Sequence, residues 1–279
     1  MMKVSKAARY YLRVVVSILI ACIMFFPIYW LILSSLRPIS RLFTGKTFLP
    51  GSDMTLENYS EVVSNKMFWG FFYNSTKVGL IATVVVILLS ALGAYSLARL
   101  KFPGSEKLSN MVLFIYMVPQ VLLALPIYFW MFNVGLLNTH LGVIVAHIAQ
   151  GLPFALWMLK GNFSALPPDL EDAARIDGCT WLGALFRVIL PLSGPSLVAV
   201  AMYTLINSWN NYIFSFMLIN RTSLQTLPVG LVNLYQGADA QRWGEIMAAS
   251  VISMVPIVMV FGLLQKFIVR GLTAGAVKG

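Results

Sequence analysis

Long apolar runs without a single charged side chain alternate with shorter polar segments along this chain. Each run is long enough for an α-helix to cross the hydrocarbon core of a bilayer, which takes about 20 residues. The run between Lys107 and Lys160 covers 52 residues and is interrupted by Asn133, Gly135 and Asn138, so it predicts two helices joined by a turn. The pattern therefore predicts six membrane spans, over residues 14–35, 78–98, 110–132, 141–159, 196–217 and 246–266.

The apolar runs predict helices rather than the strands of a barrel. In lipid, every backbone amide must find a partner within its own segment or within a closed barrel. A barrel strand alternates apolar and polar positions over about ten residues, whereas the run from Val84 to Leu89 is apolar on every face. We therefore expect an all-α integral membrane protein, with one domain over residues 1–279, six transmembrane helices and two sizeable loops, 36–77 and 160–187.

Lysine and arginine are distributed unequally between the two sides of the predicted bundle. The side with both termini and the loops after spans two and four carries thirteen of the twenty basic residues. The other side carries seven, and five of these lie in loop 36–77, which is long enough for its charge to matter less. Because basic residues accumulate in cytoplasmic loops, both termini and loop 160–187 are predicted to be cytoplasmic.

Composition narrows the range of functions. Hydrophobic residues make up 59% of the chain and charged residues 11%, and the mean hydropathy is +0.81. A soluble domain has about 45–50% apolar and about 25% charged residues, so the composition argues against a water-soluble enzyme. The formal net charge is +10, and the Lys and Arg side chains that produce it are expected to contact anionic membrane lipid. No cluster of basic and aromatic residues indicates a nucleic-acid partner.

No motif predicts a cofactor or a catalytic centre in this chain. Cys22 lies inside the first predicted span and Cys179 in a predicted cytoplasmic loop, and no group of Cys and His residues has the spacing of metal ligands. Residues 45–47 (Gly-Lys-Thr) resemble the end of a phosphate-binding loop, but Ser40 stands where that loop needs a glycine. The chain is therefore not expected to hydrolyse ATP by itself.

The loop after span four predicts a short helix outside the membrane. Residues 167–178 begin with two prolines, continue with three carboxylates and end at Gly178. Prolines are tolerated in a first helical turn, carboxylates favour the positive end of the helix dipole, and glycine is a common stop. Leu170, Ala173 and Ala174 would form a stripe of small side chains that lets another backbone come close.

A second helix is predicted to follow, from Trp181 to Leu190. Thr180 is expected to cap its start and Pro191 to end it. A solvated linker would not need this design, so the loop is expected to contact a partner.

These two segments resemble the cytoplasmic signature of the permease subunits of binding-protein-dependent ABC importers. That signature is an acidic residue and two alanines, then three residues and a glycine, and later Ile-x-Leu-Pro. Asp172 replaces the usual Glu and Val188 the usual Ile. The matching residues are Asp172-Ala173-Ala174, Gly178 and Val188-Ile189-Leu190-Pro191.

Further stretches are similar to the carbohydrate branch of this family, and in particular to the smaller membrane subunit of maltose-type systems. The longer ones are Ser208–Phe214 and Thr226–Leu231. Shorter matches are Glu57–Tyr59, Asn74–Ser75 and the tail Arg270–Gly279. The resemblance extends over nearly the whole chain.

The resemblance implies a type I ABC importer transmembrane domain whose loop 160–187 holds a coupling helix that docks in a cleft of an ATP-hydrolysing subunit. It also implies a second related permease chain, two ATP-binding subunits that carry ATP and Mg²⁺, and an extracytoplasmic sugar-binding protein. The chain itself is then a subunit of the bacterial inner membrane without catalytic residues, cofactor or metal. The implied coupling residues are Leu170, Glu171, Asp172, Ala173, Ala174, Asp177, Gly178 and Pro191.

A sugar path through an apolar bundle needs planar amides, which can pair with two hydroxyls, and aromatic rings, which stack on C–H surfaces. Spans three to five contain such side chains. The same residue types also join transmembrane helices and anchor them at the membrane interface, so packing and gating are the competing interpretation. The candidates are Gln120, His147, Gln150, Asn207, Trp209, Asn210, Asn211 and Tyr212.

The sequence favours one half of the membrane channel of an ATP-driven importer for a carbohydrate, an oligosaccharide or a glycoside. The same machine carrying a glycerol-phosphate-type polyol stays open, although no Arg or Lys lies in the middle of any predicted span to attract an anion. A cation-coupled transporter would need an ionisable group at membrane depth, where His147 is the candidate. A passive polar channel and a membrane enzyme are further alternatives, but Glu171, Asp172 and Asp177 lack a nucleophile or metal partner for catalysis.

Overall fold

The computed structural model describes residues 6–38, 49–51, 53–100, 102–236 and 242–276, and every regular element in these residues is helical. The α-helices are α1 (Lys6–Ser35), α2 (Glu57–Ser64), α3 (Lys66–Tyr95), α4 (Ser105–Met117), α5 (Gln120–Asn133), α6 (His140–Ala165), α7 (Asp169–Ile176), α8 (Trp181–Ala184), α9 (Leu190–Leu192), α10 (Gly194–Asn210), α11 (Ile213–Leu218), α12 (Leu227–Tyr235) and α13 (Trp243–Ala276). A π-helical segment, Ser96–Leu100, continues α3. Another π-helical segment, Leu185–Ile189, joins α8 to α9, and Thr222–Leu224 is a 3₁₀ turn.

Among the described residues, four helices are each long and apolar enough to cross a membrane: Tyr10–Ser35, Lys66–Leu100, His140–Ala165 and Trp243–Phe267. Two further pairs of helices meet the same criterion only when each bent pair is taken as one span, so the described residues provide four to six spans. The all-helical membrane fold predicted from the apolar runs is confirmed. The second of these helices begins at Lys66, well before the predicted start at 78.

The third predicted span, 110–132, is not one helix. It consists of α4 and α5, which are bent by 102° at the break between them. Pro119 disfavours the helical conformation of the residue before it, and Val118 is accordingly extended, with φ −70° and ψ 126°.

The fifth predicted span, 196–217, is also interrupted. Helix α10 ends at Asn210, and Asn211 is extended. The Oδ1 atom of Asn211 accepts a hydrogen bond of 3.0 Å from the backbone N–H of Phe214, so this side chain satisfies a free amide at the start of α11. At the start of α10, the helical segment Trp181–Leu192 meets it at an angle of 82°.

The helix that was predicted to end at Pro191 continues to Leu192. Pro191 lies near the end of this helix, shortly after the π-helical segment Leu185–Ile189. The chain turns at Ser193 instead, whose backbone N–H donates to the carbonyl oxygens of Ile189 and Leu190.

The first compact unit comprises Met1–Lys66 and Tyr235–Val255. In it, the amide of Asn58 donates two hydrogen bonds of 2.9 Å to carbonyl oxygens at the end of α1. The hydroxyl of Tyr59 lies 2.6 Å from the Oγ atom of Ser35. Because a helix end leaves its last carbonyls without intrahelical partners, this segment of α2 caps α1.

The second compact unit comprises Met67–Leu234 and Pro256–Gly279. Small residues bring its helices together: a Cβ added at Gly151 of α6 would lie 3.3 Å from a methyl group of Thr204 in α10. Two apolar clusters fill its interior. One includes Val78, Ala82, Met131, Val143, Phe214 and Leu218, and the other includes Val86, Tyr95, Leu159, Phe163, Leu185, Ile189 and Val200.

Candidate functional site

Helix α7 forms as its sequence predicts. It begins after Pro168, and the carboxylates of Asp169, Glu171 and Asp172 lie in its first turn, where the helix dipole favours negative charge. The chain leaves it through Gly178, whose φ of +86° is a left-handed conformation that other residues rarely adopt.

The two faces of α7 differ sharply in burial. Glu171 and Ala174 are buried against the rest of the chain, with 4% and 7% of their surface exposed. Leu170 and Ala173 are exposed, and Ile176 is 86% exposed. The predicted stripe of small residues is therefore divided, because Ala174 packs inward and its other two members face outward.

The other predicted coupling residues lie on the surface. Asp172, Asp177 and Gly178 are exposed on or beside α7. Pro191 is exposed in α9. Glu171 differs from all of them because it is buried and paired within the chain.

The carboxylate of Glu171 is held by Tyr95, the last residue of α3, and by Arg99 in the π-helical segment that follows. The hydroxyl of Tyr95 donates a hydrogen bond to its Oε1 atom, and the Nε atom of Arg99 lies 3.3 Å from its Oε2 atom. Arg99 also donates from Nη2 to the carbonyl oxygen of Leu166, at 2.8 Å. A buried carboxylate is costly unless it is paired and hydrogen-bonded, and Glu171 meets both conditions.

The segment after α7 is tied to it at two points. The hydroxyl of Thr180 accepts a hydrogen bond of 3.1 Å from the backbone N–H of Gly183, which confirms the predicted N-cap. The guanidinium of Arg175 lies 3.7 Å from the ring centroid of Trp181, a cation–π contact.

Part of the predicted substrate path is a polar cluster between α6 and the end of α10. The Nδ1 atom of His147 lies 2.6 Å from Ser208 Oγ. The amide of Asn211 donates to Gln150 Oε1 at 3.1 Å. His147, Ser208 and Asn211 are buried, so these contacts join helices inside the bundle.

Trp209 is buried as well, and its ring meets that of Phe72 edge to face at 5.4 Å between centroids. Tyr212 stacks on Phe216, with ring centroids 5.2 Å apart. Gln120 is exposed at the start of α5.

Asn207 and Asn210 lie on a different face of α10. Asn210 is exposed, and Asn207 is partly exposed and donates to the carbonyl oxygen of Tyr203. The ring of Tyr203 meets that of Phe154 on α6 at 3.9 Å between centroids. Gln150 is one turn from Phe154, so amides and aromatic rings adjoin on this face.

Phe154, Trp157 and Tyr203 adjoin one another on this face and were not among the predicted path residues. Gln150, Phe154 and Trp157 are spaced i, i+4 and i+7, and Tyr203, Asn207 and Asn210 have the same spacing. That spacing places residues on one side of a helix, so the periodicity of the polar and aromatic residues together could have found them.

Asn74 and Ser75 hold the segment that precedes α12. Asn74 donates to the carbonyl oxygens of Ser223 and Gln225 at 3.0 and 2.9 Å, and Ser75 Oγ accepts from Leu227 N at 2.8 Å. Both residues lie inside α3 rather than before the second span.

A cluster of ionisable side chains outside the spans consists of Tyr235, Arg242 and Glu245. Arg242 Nη2 lies 2.8 Å from Glu245 Oε2, and its guanidinium is 4.8 Å from the centroid of the Tyr235 ring. Burial, followed by the charge of Glu245, raises the pKa of Tyr235 to about 12. The hydrogen bond that Arg242 donates to Glu245 raises the pKa of Arg242, so near neutral pH the phenol is neutral and the guanidinium charged.

Within the described parts of the chain, no group of three or more His, Cys, Asp and Glu side chains is placed to hold a metal ion. Residues 277–279, which end the tail that resembles the carbohydrate branch, lie outside the described residues. The segment 45–47 lies outside them as well.

Residues 87–274 match the family described as "Binding-protein-dependent transport system inner membrane component". The chain is 36% identical over 271 residues to the trehalose/maltose transport system permease protein of Thermococcus litoralis, and the alignment covers 96% of each chain. It is 37% identical over 263 residues to the arabinooligosaccharides transport system permease protein of Halalkalibacterium halodurans, covering 93% of each.

The fold is similar to that of a chain in the crystal structure of a bacterial ABC transporter involved in the import of the acidic polysaccharide alginate. The TM-score is 0.83 at 21% sequence identity, and the match covers 95% of this chain and 99% of the other.

Proposed function

Because this chain belongs to the family of binding-protein-dependent transport system inner membrane components, we propose that it forms half of the translocation path of an ATP-driven carbohydrate importer. Two relatives that align with more than nine-tenths of the chain are named as permeases for trehalose and maltose and for arabinooligosaccharides. They support an oligosaccharide or a glycoside as the cargo.

We place the side of the bundle with α7 and both termini in the cytoplasm. The excess of Lys and Arg in the loops on this side supports that orientation. It brings α7 to the surface where ATP-binding subunits are available.

One observation carries the proposal that α7 is the coupling helix: its inner face is fixed by a buried carboxylate, and its outer face, with Leu170, Ala173 and Ile176, is uncovered among the described residues. An exposed apolar face with small side chains fits a docking surface. The proposed partner is an ATP-binding subunit, which holds ATP and Mg²⁺. Two such subunits, a second related permease and an external sugar-binding protein complete the importer.

The carbohydrate is proposed to contact the face formed by Gln150, Phe154, Tyr203, Asn207 and Asn210. Amides can pair with two hydroxyls of a sugar, and the adjacent rings offer surfaces for its C–H groups. His147, Trp209 and Asn211 are assigned to packing, because each is buried against a neighbouring helix.

The docking proposal is tested with the complete importer in membrane vesicles. The variant Ala173→Arg places a long cation on the outer face of α7 without disturbing Glu171. We expect it to reduce both co-purification of the ATP-binding subunit and ATP-dependent uptake of radiolabelled trehalose, maltose and an arabinooligosaccharide.

The matched control is Ala165→Arg, because Ala165 is also exposed but belongs to the end of α6. This variant should assemble and transport normally. Unchanged co-purification and uptake in Ala173→Arg would refute the docking role, and uptake that needs no ATP would refute the importer itself.

A further inference from the structure

The guanidinium of Arg99 joins three elements of the chain at one point. Arg99 itself lies in the π-helical end of the second span, Ser96–Leu100. Its Nη2 atom donates to the carbonyl oxygen of Leu166, immediately after α6, and its Nε atom is paired with Glu171 of α7. A displacement of α7 therefore acts on the ends of two membrane-spanning helices through one side chain.

Burial makes this connection stiff. Tyr95 is 3% exposed, and the side chains of Arg99 and Glu171 are 10% and 5% exposed. Water cannot readily replace a partner at such a site, and a charge left alone there would be strongly destabilising. Separation of α7 from α3 is thus opposed by electrostatics as well as by packing.

The apolar contacts beneath the ion pair continue the connection. Tyr95 belongs to the same buried cluster as Leu159 and Phe163 of α6. Leu185 and Ile189, from the segment after α8, belong to that cluster as well. The region beneath α7 is therefore one packed body, and packed bodies transmit displacements because they compress little.

We propose that Arg99, Glu171 and Tyr95 are positioning residues that transmit the movement of α7 to α3 and α6, separately from the docking of α7 on the ATP-binding subunit. This rests on the proposed role of α7 as the coupling helix. The two roles belong to opposite faces of the helix: the outer face binds the partner, and the inner triad carries the displacement into the membrane.

The alternative is that the triad only stabilises the fold. A double variant, Arg99→Met with Glu171→Leu, separates the two roles because it removes both charges and leaves neither one buried alone. Replacing a buried ion pair by apolar side chains of similar volume is often neutral for stability. The variant Tyr95→Phe is a milder companion, since it removes one hydroxyl and keeps the ring in the core.

Three quantities are measured for the complete importer in vesicles: co-purification of the ATP-binding subunit, sugar uptake, and ATP hydrolysed with and without the sugar-binding protein. For the double variant we expect normal co-purification, uptake reduced about tenfold, and a matching loss of stimulation by the binding protein, as for a site-to-site coupling of ordinary size. Tyr95→Phe should assemble normally and show the same loss to a smaller extent.

Wild-type uptake and stimulation in the double variant would overturn the proposal, because the triad would then only stabilise the fold. A loss of uptake in proportion to a loss of the assembled complex in both variants would overturn it too. Failure of the docking proposal would be seen separately, as unchanged co-purification in Ala173→Arg.

Discussion

The Nδ1 atom of His147 lies 2.6 Å from the hydroxyl oxygen of Ser208, and this contact joins α6 to α10 inside the bundle. His147 is 3% exposed and its neighbours in this cluster are neutral amides and a hydroxyl. His147, the candidate for cation coupling, therefore makes a helix-to-helix contact in this structure.

The variant His147→Asn tests the cation-coupled alternative. An amide can still bond to Ser208, so we expect a loss of stability of about 1 kcal/mol and uptake close to that of the wild type. Initial uptake rates with and without a proton ionophore, in vesicles supplied with ATP, measure this. Uptake that collapses in the variant while the complex remains assembled would favour proton coupling instead.

Glycine is required at residue 230. A Cβ added there would overlap the ring of Phe71, which fills the space in front of α12. We expect Gly230→Ala to destabilise the protein by about 1–3 kcal/mol, as overpacking does in a well-filled interior. A lower thermal transition of the purified complex in detergent would show it.

The control for this substitution is Gly70→Ala, one residue before Phe71 in α3, where an added Cβ meets nothing within 4 Å. Alanine is the better helix former there, so this variant should be as stable as the wild type or slightly more so. Equal stability of the two variants would contradict the packing argument.

The left-handed conformation of Gly178 predicts a graded series of variants. Asparagine tolerates this conformation better than other residues with a side chain, whereas a β-branched residue is strained by about 1–2 kcal/mol or more. We expect Gly178→Asn to keep most uptake and Gly178→Val to lose much of it, since α7 would no longer end at the right place. Comparable uptake in both would show that the conformation at this position is unimportant for coupling.

Two neighbouring asparagines, one at the end of α10 and one directly after it, should respond differently to the same change. Asn211→Ala removes the cap of α11 and the bond to Gln150, so it should lower the amount of assembled complex. Asn210→Ala removes an exposed amide and should leave assembly intact while raising the KM for the transported sugar. Kinetics of uptake, normalised to the amount of complex, distinguish the two, and a reversed pattern would refute the assignment of faces.

Predictability along the chain depended on whether a feature is local. The start of α7, its end at Gly178 and the cap at Thr180 follow from residues within one or two turns, and all three were predicted. The breaks at Val118 and Asn211 were not, because a break inside an apolar run does not alter its hydrophobicity. Only Pro119 signals the first of these breaks, and prolines are common in membrane helices.

The amino-acid sequence by itself determined the helical membrane fold, because uncharged runs of this length have no other stable state in lipid. It also determined the family, through a motif whose spacing follows from the geometry of one short helix and its turn. Only the tertiary structure decided which polar residues pack and which face outward, since that depends on partners far away in the chain. Asp172 and Glu171 show the difference: they are adjacent carboxylates of similar chemistry, but one is exposed and the other is buried, because the helix turns by 100° per residue and Arg99 lies on one side of it.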